Sequence, residues 1–274
     1  MKVLISILGT LALLYALLCL LLYLLQENFI FFPQQLPQDY RFRYGAGVEE
    51  RYIPTAGGMQ LHGLLFRADS LQAAAGQRRL VFFLHGNAGS LASWGDVAPS
   101  YTRLGYDVFL LDYRGYGKSG GSLRSQQQLL EDVQAAYRQL LQEYREENTV
   151  VLGISLGSGP AAWLAARHKP RLLVLLTPYY SLTDMMRRTM PIVPPFLLKY
   201  PLPTYQYLQG VEAPVYLVHG TRDEVIPYAS SLRLQQHLKP GDSLIPIEGE
   251  YHNSLHASPA YQQQLPRLLS TPAP

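Results

Sequence analysis

The chain has 274 residues, of which 48% are hydrophobic and 16% charged, and its formal net charge is only +3. A balance of that kind excludes a disordered chain, and a single cysteine, Cys19, excludes a scaffold held by internal disulfides. No lysine- or arginine-rich block interrupts the sequence, so nothing points to nucleic acid as a partner.

The first element is residues 3–25, VLISILGTLALLYALLCLLLYLL, a run without one charge. As a helix it reaches about 35 Å, enough to cross a hydrocarbon core of about 30 Å with some tilt. A cleaved signal peptide would have a shorter apolar region ending in small residues, whereas this run ends in YLLQENFIFF. A lipid anchor on Cys19 is disfavoured by Leu18, which stands where a small residue is expected. Residues 1–26 are therefore read as a single membrane anchor. Its flanking charges are balanced, Lys2 on one side and Arg41 and Arg43 offset by Glu27 and Asp39 on the other. A signal-anchor with so short an amino-terminal tail is expected to leave its body outside the cytoplasm.

Residues 27–47, rich in Pro, Gln and aromatics, read as a linker, with the FIFF cluster at the membrane interface or packed on the domain. Residues 48–274 read as one α/β domain, a size that buries a large core. VEERYIPT (48–55) and MQLHGLLFRA (59–68) predict an antiparallel strand pair around a turn at Gly57-Gly58, and 71–77 a loop. Strands are then expected at 78–85, 106–112, 148–154, 171–177, 213–220 and 242–249. Helices are expected at 90–104, 125–145, 157–169, 227–238 and 258–269. The 125–145 helix shows a clear apolar face of Leu129, Leu130, Val133, Ala136, Tyr137, Leu140 and Leu141. Apolar strands alternating with helices imply a mostly parallel central sheet with helices on both faces.

The 148–154 strand runs directly into Gly153-Ile154-Ser155-Leu156-Gly157, a G-x-S-x-G, and a small-residue helix comes after it. The pattern alone is weak, since a glycine-rich structural turn would look the same. The strand-turn-helix context makes Ser155 a candidate nucleophile. A serine hydroxyl needs a base, and the base needs an orienting acid. Asp223 lies just past the 213–220 strand and His252 just past the 242–249 strand, so Ser155, Asp223 and His252 each fall at the carboxyl end of a strand. Glu224, Glu250 and His256 are rivals for the same roles and are ranked below them. His62, His168 and His237 are read as core or solvated histidines, and His85 and His219, each before a glycine, as organisers of turns. LHGNAGS (84–90) offers backbone N–H groups for an oxyanion: Asn87 first, with Leu156 N–H as the second donor.

HGNAGS, LLDYRGYGKSGGS, GISLGSG, HGTRDEVIP and YHNS, in that order, resemble the α/β-hydrolase superfamily, and more narrowly its membrane-anchored, bud-emergence-type branch and bacterial relatives. The resemblance covers about residues 48–269. It implies the α/β-hydrolase fold and a serine hydrolase that needs neither metal nor organic cofactor. It also implies that Asp112, Arg114 and Tyr116 support the site structurally. Glu250-Tyr251 and Ser254 depart from the pattern that relatives often carry around the histidine. Residues 178–210, rich in Met, Pro, Leu and Tyr, sit where this fold commonly carries a lid, and are expected to form a short one. Met185, Met186, Met190, Phe196 and Leu197 are the candidate lining of an acyl pocket, although an ordinary helix pair packed on the core would have the same composition. The expected activity is hydrolysis of a carboxylic ester or thioester, of a small molecule, a lipid or an acylated protein. A peptidase with the same triad and a non-catalytic membrane-tethered scaffold are the alternatives.

Overall fold

In the computed structural model residues 1–45, 47–55, 58–68 and 78–270 are described. The expected loop at 71–77 and Gly57 of the expected turn lie outside them. Helix α1 (Lys2–Ile30) is followed by strands β1 (Val48–Pro54), β2 (Gln60–Phe66), β3 (Arg79–Leu84) and β4 (Tyr106–Asp112). Helix α2 (Gln126–Leu140), strand β5 (Thr149–Ile154), helix α3 (Ser158–Ala165) and strand β6 (Leu172–Leu176) come next. Helix α4 (Leu182–Thr189), strand β7 (Val215–Gly220), helix α5 (Ala229–Gln235), strand β8 (Ser243–Ile247) and helix α6 (Pro259–Leu269) complete the order.

The sheet runs β8-β7-β6-β5-β3-β4-β2-β1. β2 is antiparallel to both neighbours, and the remaining pairs are parallel. Because side chains alternate across a strand, Leu80, Phe82 and Leu84 of β3 join one core and Val81 and Phe83 the other. α2 and α3 cover the first face, and α6 with residues 91–102 the second. α2 buries Leu129, Leu130, Val133, Ala136, Tyr137 and Leu140, the face its periodicity predicts, and starts where Ser125 Oγ accepts the Gln128 N–H at 3.1 Å.

Two expectations change. The helix expected over 90–104 is two single turns, Leu91–Trp94 and Pro99–Thr102, joined by a 3₁₀ turn at Gly95–Val97. Pro99 has no N–H to continue the ladder and instead starts the second turn. The stretch expected as a linker is docked. α1 continues to Ile30, and Phe32–Pro33 pairs in parallel with Ala88–Gly89. Gly117 N–H donates to the Gln34 carbonyl at 2.9 Å, and Phe31 is buried edge-on against Tyr200.

Candidate active site

Ser155 caps the end of β5 with φ +51°, a conformation that costs energy for a residue with a Cβ and persists only when its surroundings impose it. The tight turn requires its glycines. A Cβ on Gly153 would strike the Gly157 carbonyl, and a Cβ on Gly157 would strike the Leu84 carbonyl on the neighbouring strand. The turn is held further by Ser158 Oγ, which donates to the Ser155 carbonyl at 2.7 Å, and by Tyr179 OH, which donates to Leu156 O at 3.1 Å.

His252 Nε2 lies 3.0 Å from Ser155 Oγ, and His252 Nδ1 lies 2.7 Å from Asp223 Oδ2. Asp223 Oδ1 accepts the N–H groups of Val225 at 2.9 Å and Ile226 at 2.7 Å. Burial alone would raise the Asp223 carboxyl. Hydrogen bonds from His219 and His252, the charge of His252 and the Ile226 N–H outweigh it and hold the group well below the usual carboxylate range. An ionised Asp223 can only accept, so His252 Nδ1 carries the proton and Nε2 faces Ser155 as the acceptor.

The rivals fall away on geometry. Glu224 accepts the backbone N–H of His252 rather than meeting its ring, and Glu250 accepts from Ser254 Oγ. The His256 ring stands 5.8 Å from that of Trp94, and burial followed by the charge of His252 lowers its pKa.

His219 does more than shape a turn. Its Nε2 lies 2.8 Å from the Ile226 carbonyl and 3.1 Å from Asp223 Oδ2, both acceptors, so that nitrogen bears the proton. Its Nδ1 then accepts from Ser231 Oγ at 2.7 Å. The side chain is fully buried. Sequence reasoning missed this role; the available signal was its place at the end of the strand that precedes Asp223, four residues earlier.

Asn87 and Leu156 line the same cavity as Ser155. The loop that carries Asn87 is clamped from several sides. Tyr116 OH donates to Asn87 O at 2.7 Å, Tyr113 OH to His85 O at 2.8 Å, and Leu91 N–H to Asp112 Oδ1 at 3.1 Å. Arg114 is committed elsewhere, bidentate to Asp132 at 2.7 and 2.8 Å. Asp112 and Tyr116 thus hold the loop that carries Asn87, whereas Arg114, expected to support the site as well, ties its own loop to Asp132 of α2.

A profile of the α/β hydrolase fold family matches residues 79–211. Human alpha/beta hydrolase domain-containing protein 17B is 31% identical over 196 residues, 69% of this chain and 66% of that protein. The chain belongs to the α/β-hydrolase superfamily. The matched stretch thus falls just short of two thirds of that relative's length. An esterase of Pyrococcus furiosus superposes with a TM-score of 0.66 at 19% identity, covering 88% of this chain and 97% of its own. A thioesterase domain from the curacin biosynthetic pathway gives 0.59 at 16%, covering 82% and 99%. At those identities the two structures speak for the fold alone.

In this α/β-hydrolase the cavity above Ser155 has a volume of about 300 Å³, at the lower end of the range for small-molecule sites. Met185, Met186, Met190 and Leu197 line it as expected. Phe196 does not. Its side chain is 83% exposed and sits on the far side of the segment, beside Tyr15, Cys19 and Tyr23 of α1. The 3₁₀ turn at Pro195–Leu197 accounts for this, because adjacent residues on a turn point in different directions and Leu197 takes the inward place. One wall has no counterpart among the lining residues read from the sequence: Leu22, Tyr23, Gln26, Phe29 and Ile30 of α1 form it.

Proposed function

We propose that this α/β-hydrolase is a membrane-anchored serine hydrolase of carboxylic esters or thioesters. The reading is carried by one observation: a continuous hydrogen-bonded line from Ser155 through His252 to Asp223 ends at the floor of an apolar cavity. His252 takes the proton of Ser155 as its Oγ attacks the acyl carbon. Asp223 keeps the imidazole in the competent tautomer and balances the imidazolium that forms. The N–H groups of Asn87 and Leu156 receive the developing oxyanion, and the protonated His252 releases the alcohol or thiol. Water, deprotonated by the same imidazole, then attacks the acyl-Ser155 ester, and the acid leaves with Ser155 regenerated. None of these steps calls for a metal or an organic cofactor. The apolar helix Lys2–Ile30 keeps the site beside lipid, which favours a hydrophobic acyl group over a peptide.

A fluorophosphonate probe should label the full-length protein and fail to label Ser155→Ala, whose turnover of p-nitrophenyl esters should fall by roughly 10⁴–10⁶-fold. Equal labelling of the two proteins would refute the assignment.

A further inference from the structure

The wall formed by α1 gives the cavity a feature that a hydrolase domain alone would lack. Leu22 and Tyr23 belong to the uncharged run of residues 3–25, and Glu27 is the first charge after it. The helix measures about 43 Å at 1.5 Å per residue, longer than a hydrocarbon core of about 30 Å. With the uncharged run placed in the hydrocarbon, the cavity would meet α1 at the boundary between hydrocarbon and headgroups.

The opposite wall extends toward the bilayer as well. Tyr15 OH donates to the Ile192 carbonyl at 2.7 Å, ten residues before the end of the apolar run. The side chains beyond it, Ile192 at 68% exposure and Phe196 at 83%, are bare. Apolar groups left this open in water are unfavourable, but against acyl chains they are at no disadvantage. The polar groups that join the two walls are paired, as a low-dielectric setting demands. Gln26 is buried and uses both ends of its amide: Nε2 donates to Leu197 O at 3.0 Å, and Oε1 accepts Lys199 N–H at 2.8 Å. Lys199 Nζ adds an ion pair to Glu27 at 3.1 Å. These contacts fix residues 197–199 to the helix and leave an apolar gap between the two walls.

We propose that this gap is the acyl site, and that the last turns of the membrane helix set its selectivity: a long acyl chain enters from the bilayer, lies between Leu22 and Tyr23 on one side and Met185 and Met186 on the other, and places its carbonyl at Ser155. The inference rests on the serine hydrolase reading and adds the substrate class to it. Both a membrane lipid and an S-acylated protein present such a chain from the bilayer, and the cavity reads the chain itself.

The test uses full-length protein in phosphatidylcholine vesicles. The kcat/KM for p-nitrophenyl esters of four to sixteen carbons is measured for the wild type, Leu22→Trp, Leu22→Ala and Leu24→Trp. Leu24 is 58% exposed and does not line the cavity, so Leu24→Trp should keep the wild-type profile. Filling the gap with Leu22→Trp should lower the sixteen-to-four-carbon ratio by at least tenfold, and emptying it with Leu22→Ala should move the optimum toward longer chains. A ratio unchanged in both Leu22 variants, with fluorophosphonate labelling retained, would overturn the inference and leave the hydrolase reading standing. A wild type that no probe labels would instead remove the hydrolase reading. Misfolding of Leu22→Trp would still leave Leu22→Ala to decide. Parallel arms with a fluorescent phosphatidylcholine and an S-palmitoyl peptide in the same vesicles separate the two sources, and the Leu22→Trp loss should follow whichever arm the wild type turns over.

Discussion

Beneath Ser155 on the floor of the cavity, His252, Asp223 and His219 are linked by contacts of 2.7 to 3.1 Å, and each has a further partner on the backbone or on a hydroxyl. These groups sit at the ends of strands whose positions are fixed by the sheet. On the wall, Met185, Met186 and Leu22 offer only apolar surface, and the two elements that carry them are tied together by Gln26, the Glu27–Lys199 pair and Tyr15. In the proposed reaction charge develops at one point on the floor, and directional bonds on rigid elements define that point. An acyl chain has no direction to read beyond its length and width, so flexible thioethers and leucines suffice to hold it. If this division is correct, changes on the floor should act on kcat for every substrate. Changes on the wall should act on KM and only for long chains.

The sharpest way to break the comparison is Asp223→Asn. It removes the acceptor that sets the His252 tautomer, and kcat should fall by about 10³–10⁴-fold on short and long esters alike. A loss confined to long chains would erase the distinction between floor and wall. The same variant carries a pH signature. The folded-state pKa of Asp223 is depressed, so its contribution to stability is fully present above the unfolded value of about 3.9 and is lost as pH falls toward the folded value. The stability gap between wild type and Asp223→Asn in urea unfolding should therefore be constant from about pH 7 to pH 5 and narrow below about pH 4. A gap that shrinks already between pH 7 and pH 5 would contradict the depressed pKa.

His219→Gln is the next step down. His219 touches no reacting atom and acts through Asp223 as a positioning residue. Losing a hydrogen bond to a charged group costs about 1.5–3 kcal/mol, so kcat should drop roughly 10- to 100-fold with KM little changed. The Asp223 carboxyl should also titrate at a higher pH in carboxyl NMR, because it loses one of the partners that keep it ionised. A fall in activity without that shift would mean that the residue only supports the fold.

Floor and wall also differ in how far they could be read from the chain. Ser155, Asp223 and His252 were legible because each comes closely after an apolar strand, and strand order in an α/β sheet converts sequence order into proximity. The antiparallel pairing of β1 and β2 followed from two strand-like runs around a turn signal, and the inward face of α2 from a periodicity of 3.6. The wall was half legible. Four of the five proposed lining residues face the cavity, and Phe196 does not, because a turn of three residues has no periodicity to show which side points in. The contribution of α1 was not legible at all. Residues 22–30 lie more than 150 positions before Met185, and a run of leucines looks the same whether it faces lipid alone or also a substrate. His219 was missed because its place at the end of β7, four residues before Asp223, does not by itself show which group a buried ring bonds to.

Gln26→Ala tests the weakest link in the comparison, the assumption that the wall is held as a unit. The substitution removes three hydrogen bonds, one of them within the helix to Tyr23 O, and leaves Leu197 O and Lys199 N–H without their side-chain partner. Each bond is worth about 1 kcal/mol net, and the orphaned groups lie in apolar surroundings, where water cannot replace the amide. The Glu27–Lys199 pair and the Tyr15 bond remain, so residues 197–199 should loosen rather than detach. KM for a sixteen-carbon ester should rise about 3- to 10-fold, with a change in kcat of less than about twofold. Asp223→Asn has the reverse signature, a collapse of kcat at nearly constant KM. Should Gln26→Ala instead lower kcat for short and long esters equally, then α1 is shaping the floor. The route would be the direct one through Phe32–Pro33, which come right after the helix and pair with Ala88–Gly89 immediately beyond Asn87. Such a result would make α1 a support of the loop that carries Asn87 as well as a wall of the cavity.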